Sequence, residues 1–148
     1  MILDAWQAVA AATEDITATP CTDGVLLTLA PMNSVFLAVE TGPWEQLTAT
    51  LDGDFENREP AMQHAILAAL TKLQVFTLGG RAAIDRRGAL VVVSDRLAHT
   101  LMPQDRLSWV FSLQVVANGM LSIIAATGQL GHAPSHDELQ SLMTQRPS

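Results

Sequence analysis

The sequence predicts an α+β fold: a helix, a three-strand antiparallel meander, a second helix, a two-strand hairpin and a last long helix. Three observations lead to it. Two tight-turn signals, Asp23-Gly24 and Asp85-Arg86-Arg87-Gly88, each stand between runs of strand-like residues, and such turns join antiparallel neighbours. Segments of helical period lie before, between and after those runs. Strands grouped apart from helices belong to an α+β architecture and not to a doubly wound parallel sheet.

The first helix is expected from Ile2 to Asp15, where Ile2, Leu3, Trp6, Val9 and Ala10 follow the i, i+3, i+4, i+7 pattern. It gives way at Ile16-Thr17-Ala18-Thr19, whose alternating β-branched residues suit a first strand ahead of Pro20. Val25 to Ala30 and Ser34 to Thr41 read as the next strands, with Pro31-Met32-Asn33 between them. Val25, Leu27 and Leu29 share one face, and so do Val35, Leu37 and Val39. That leaves Leu26, Thr28, Ala30, Phe36 and Ala38 for the opposite face. After Gly42-Pro43, the spacing of Trp44, Leu47 and Leu51 predicts a short amphipathic helical turn or two, closed by Asp52-Gly53-Asp54.

The second helix opens around Asn57 to Glu59, with Pro60 suited to its first turn, and runs to about Phe76. Met62, Ile66, Ala69, Leu70 and Leu73 form its apolar stripe, with the small residues Ala61, Ala65 and Ala68 beside it. Gly79-Gly80 ends that region, and Arg81 to Ile84 with Ala89 to Ser94 make the hairpin. The last long helix is expected from about Gln104 to Ala126. Ser135-His136-Asp137-Glu138 has capping-box spacing ahead of a short terminal helix carrying Leu139, Leu142 and Met143. Residues 1–126 therefore read as one domain and 127–148 as a C-terminal tail with that short helix.

At 148 residues the chain is long enough for a self-sufficient core. Hydrophobic residues at 49% against 16% charged exclude a disordered chain. Fifteen acids against eight cations give a net charge of −7, which repels a phosphate backbone and argues against nucleic acid as a partner. A single cysteine, Cys21, forbids an internal disulfide and a cysteine metal cage, and suits a reducing compartment. The N-terminus has no basic region followed by a long apolar run, and no stretch carries about 18 uninterrupted apolar residues, so neither a signal peptide nor a membrane span is expected. From these features a cytoplasmic protein is expected.

No constellation supports catalysis, a cofactor or a metal. Gly79-Gly80 lacks the residues of a phosphate loop, and no nucleophile elbow is present. Cys21 lies near Asp23, which disfavours a thiolate. His132 and His136 are four apart but Pro134 interrupts them, and they read as solvated tail residues. His64 and His99 stand alone as structural residues. Asp52, Asp54 and Glu56 alternate as in a calcium loop, yet Gln63 occupies the twelfth position where a bidentate acid belongs.

What stands out is apolar surface. In the last helix Leu107, Val110, Phe111, Leu121 and Ile124 line one side, and Trp109, Leu113, Val116, Met120 and Ile123 a neighbouring one. A helix this apolar is buried on more than one side, and large apolar patches mark partner sites. A homodimer interface or a bound polypeptide is therefore expected to cover what one small sheet cannot, the alternative being cover by the C-terminal segment or the first helix.

The element order, size and acidity resemble the class I type III secretion chaperones, the Tir-chaperone-like family of small acidic bacterial proteins. The segment Ala68-Ala69-Leu70-Thr71-Lys72-Leu73-Gln74-Val75-Phe76, followed by Gly79-Gly80-Arg81-Ala82-Ala83-Ile84-Asp85 and Gly88-Ala89-Leu90-Val91-Val92-Val93, resembles that family's helix, glycine-containing link and hairpin. Val25-Leu26-Leu27-Thr28-Leu29 fits its meander, and the likeness covers about residues 1–126. The resemblance implies a non-enzymatic, cytoplasmic homodimer that binds an extended N-terminal segment of a secreted effector and keeps it soluble and export-competent, with the secretion apparatus as a further partner. It implies a dimer interface at Leu67, Ala68, Thr71, Val75, Val91 and Val93, and effector contacts at Trp6, Val9, Leu26, Phe36 and Ala38. From another class, a small dimeric α+β adaptor or sensory module binding a folded partner or small ligand is the alternative; an enzyme with an unrecognised site is a third reading.

Overall fold

The computed structural model describes residues 2–74 and 79–144. Helix α1 (Ile2–Ala11) leads into an antiparallel run of strands β1 (Ile16–Pro20), β2 (Val25–Leu29), β3 (Ser34–Thr41) and β4 (Trp44–Asp52). Helix α2 (Pro60–Gln74), strands β5 (Arg81–Ile84) and β6 (Leu90–Leu97), and helices α3 (Pro103–Leu130) and α4 (His136–Thr144) follow. All six strands join one antiparallel sheet in the order β1-β2-β3-β4-β6-β5. The fold is α+β, as the segregation of turns and periods predicts.

The residues from Trp44 to Asp52 form a strand and not the expected helical turn. Trp44, Leu47 and Leu51 coincide with helical spacing, but Glu45, Leu47, Ala49 and Leu51 are all buried while Gln46, Thr48 and Thr50 face the other way. That is period 2, and β-branched threonines favour it. The strand joins the meander to the hairpin, pairing with β3 on one side and β6 on the other.

Loop length decides which side chains enter the core. In the β2–β3 pair the register is Val25↔Ala38, Leu27↔Phe36 and Leu29↔Ser34. Directly opposed residues share a face, so Phe36 and Ala38 lie with Val25, Leu27 and Leu29, and all five are buried. The expectation that Phe36 and Ala38 face outward is corrected. Four residues connect the two strands, which sets odd positions of one against even positions of the other.

Helices α1, α2 and α3 cover this face. Their residues Trp6, Val9, Ile66, Leu70, Val110, Leu113 and Met120 form one cluster with Leu27, Phe36, Leu47, Leu90 and Val92. Helix α3 runs to Leu130, past the expected end at Ala126, and closes on Gly131 at φ 77°, a left-handed position that glycine adopts readily. A domain boundary at 126 would thus cut a helix. Ala133 and Leu139 of the following segment pack on the core. By length and composition α3 could cross a membrane, with a mean hydropathy of 1.6 in its most apolar window. Here its buried stripe, which includes Arg106, Gln114 and Thr127, belongs to the core.

Three polar ties fix α3 on the sheet. Arg106 donates to the buried carboxylate of Glu45 on β4, and Trp6 Nε1 donates to the same carboxylate at 3.0 Å. Trp109 Nε1 donates to Ser94 Oγ on β6 at 2.9 Å, and Gln114 Nε2 to Ser34 Oγ on β3 at 3.1 Å. Each buried polar atom in these ties has a partner, which makes its burial tolerable.

Candidate functional site

Among the described residues, the helices cover one side of the sheet and leave the other open. Across the open side, opposed residues form a row through all six strands: Thr19, Leu26, Leu37, Thr48, Val93 and Arg81. Leu26 is 37% and Val35 51% exposed, while Leu37 and Val39 are half-buried. This side carries a trough of about 780 Å³, with Leu26, Val35, Leu37, Val39 and Val91 around a polar centre of Gln46, Thr48 and Thr50. Asp23 stands on its rim in the β1–β2 turn, and Asp85, Arg86 and Arg87 stand on the rim in the β5–β6 turn.

The strand order leaves β1 and β5 as edges. In β1 the Asp15 carbonyl accepts from Ala30 N–H, and Cys21 N–H donates to the Gly24 carbonyl. Odd positions therefore point their backbone groups at β2, and the N–H and C=O of Ile16 and Ala18 point away from the sheet. This edge adjoins the apolar end of the trough through the Thr19–Leu26 pair.

The residues expected to bind an effector fall in two groups. Leu26 lies on the open side. Trp6 and Val9 are 0% and 2% exposed, and Phe36 and Ala38 lie beneath the helices, so these four offer no surface. They belong to the core because α1 packs its whole apolar stripe against the sheet. The expected dimer residues are also divided. Leu67 is 37% exposed, with Ala68 and Thr71 beside it on α2 in the helix layer. Val91 and Val93 pack with Ala89 and Ala83 on the open side and are nearly buried. One contiguous patch cannot hold both sets, because Leu90 and Val92 already point to the helices and strand side chains alternate. Val75 lies outside the described residues.

Residues that sequence reasoning missed are Val35, Leu37 and Val39 on the open side, and the Glu45–Arg106 pair beneath it. Counting loop residues between strands would have found the first three.

Several titratable groups away from the trough make structural contacts. Asp52 pairs with Arg58 and caps the turn by accepting from Asp54 N–H at 3.1 Å. Arg81 pairs with Asp95 at 2.8 Å. Arg96 lies 5.9 Å from the Trp109 ring centroid, in cation–π range. Glu138 accepts from Ser135 N–H, which with the Ser135 hydroxyl holds its carboxyl below the usual value. Among the described residues no group of His, Cys, Asp and Glu is arranged to hold a metal ion.

Fold and open face together define a small α+β domain whose six-stranded antiparallel sheet is covered on one side. No family model matches the chain, and no curated protein matches it. Among solved structures it is similar to YbjN from E. coli, described as a candidate transcription regulator. The TM-score is 0.60 at 13% sequence identity, over 90% of this chain and 96% of that one. At this identity the likeness establishes the fold alone.

Proposed function

We propose that the protein is a non-enzymatic chaperone that holds an extended segment of a client polypeptide, an N-terminal segment of a secreted effector in the reading its sequence suggests. The observation that carries this is the free edge of β1 running beside uncovered apolar side chains. An extended client can add a strand at such an edge, with the backbone giving affinity and alternate side chains giving choice. The net charge of −7 favours a basic client and keeps a protein with exposed apolar surface dispersed. The cytoplasm and a homodimeric state belong to the same proposal. A regulatory adaptor for a folded partner is the competing reading, since YbjN shares the fold.

Co-expression with N-terminal fragments of secreted proteins tests this. The expected result is that one such fragment stays soluble in complex with the protein and lacks tertiary structure by NMR. Ala18→Pro removes an outward N–H but spares the β1–β2 ladder, and is expected to weaken that complex at least tenfold. If every fragment stays insoluble, or if only folded proteins bind and Ala18→Pro has no effect, the chaperone reading fails.

A further inference from the structure

We propose that the open trough receives an amphipathic α-helix from a partner polypeptide, laid diagonally with its N-terminus over Asp23 and its C-terminus over Arg86 and Arg87. The proposal rests on the reading of the chain as a polypeptide-binding protein, and adds a second contact whose guest differs in conformation from the one at the β1 edge.

Backbone accounting selects the helix. Strands β2, β3, β4 and β6 each pair on both sides, so their N–H and C=O groups are directed within the plane of the sheet. A guest lying on the face meets side chains only. An extended guest would press its own polar backbone against Leu26, Val35, Leu37 and Val39 with nothing to bond it, whereas a helix satisfies its backbone internally. Helices that bind grooves do so with an apolar stripe, and the trough's floor is apolar at both ends of its polar centre.

Charge gives the direction. Asp23 stands at one corner and Arg86 with Arg87 at the diagonally opposite one. None of these three side chains has a hydrogen-bond or ion-pair partner among the described residues. The neighbouring Asp85 carboxylate is occupied, accepting from Arg87 N–H at 2.8 Å and Ala89 N–H at 3.0 Å. A helix presents partial positive charge at its start and partial negative charge at its end, which suits this rim in one orientation only. The corners are four strand spacings apart across the sheet and about eight residues apart along it, roughly 33 Å in all, the length of a helix of about 22 residues.

The same pattern excludes this chain's own helices as guests. Helix α4 begins with Asp137 and Glu138, α1 carries Asp4 in its first turn, and neither reaches such a length. The guest is a partner helix with no carboxylate in its first turn and no cation in its last.

Two synthetic peptides of about 22 residues with one leucine stripe test this. One has lysine in its first turn and glutamate in its last; the other has lysine in both, so that one of its ends meets a like charge in either orientation. On binding to the full chain, the first is expected to gain helical circular dichroism, to shift the NMR signals of Leu26, Val35 and Val39, and to bind about fivefold tighter than the second. The double variant Arg86→Glu with Arg87→Glu, which alters only an exposed turn, is expected to erase or reverse that preference. Ala18→Pro is expected to leave peptide binding unchanged. Equal affinity for both peptides, a bound peptide without helix, or shifts confined to α2 and α3 would overturn the proposal. Loss of the helix site with client binding at the β1 edge intact refutes this inference alone; loss of both refutes the function it rests on.

Discussion

The carboxylate of Glu45 shows how one residue joins three elements. It is 1% exposed and receives Arg106 from α3 and Trp6 from α1, with the Arg106 guanidinium 6.0 Å from the Trp6 ring centroid. A buried ion pair contributes little net stability, but removing one partner strands the other charge. Glu45→Ala is therefore expected to cost about 3–5 kcal/mol, read as a lower urea midpoint with an unchanged slope. Adding Arg106→Met to Glu45→Ala is expected to restore part of the loss, because no unpaired charge then remains. None of this was legible in the sequence, where Glu45 reads as a polar residue after Trp44. Trp6 was legible as apolar and periodic, and its place in the α1 stripe is the core position the structure shows; only the resemblance assigned it to a surface.

Among elements, helices and hairpins were legible because their signals are local. The β5–β6 turn, the α2 stripe and the α4 capping box all lie within a few residues of what they determine. Strand facing was not, because it depends on the number of residues between partners, and β4 was hidden by an accidental helical spacing. The α4 box carries a pH consequence. Its interaction with Ser135 lowers the Glu138 pKa from the ordinary 4.5. A folded value below the unfolded one means that the contribution is fully present above 4.5 and disappears as pH falls through the lowered folded value. Acidification over that window is expected to fray the start of α4, visible as amide shifts at residues 136–139. Glu138→Gln is expected to remove that response, and Ser135→Ala to bring the Glu138 titration back toward the ordinary value.

For the whole molecule, two uncovered apolar regions are available to the proposed second copy and the proposed client. The sheet's open side offers Leu26 and Val35; the helix layer offers Leu67, Val115 at 72% exposure and Leu121 at 42%. Copies joined through their open sides would close both troughs, leaving the client only an edge. Copies joined through their helix layers leave both troughs and both β1 edges outward, so that one client can reach two sites at high effective concentration. The proposed homodimer is therefore expected to use the helix layer. Sedimentation at micromolar concentration is expected to show a dimer that Leu67→Glu combined with Val115→Glu converts to monomer. Both side chains are exposed, so the protomer should remain folded by circular dichroism. Leu26→Asp is expected to leave the dimer intact while weakening client binding. If Leu26→Asp dissociates the copies and the helix-layer pair does not, the open side is the dimer interface, and the trough is closed to any client.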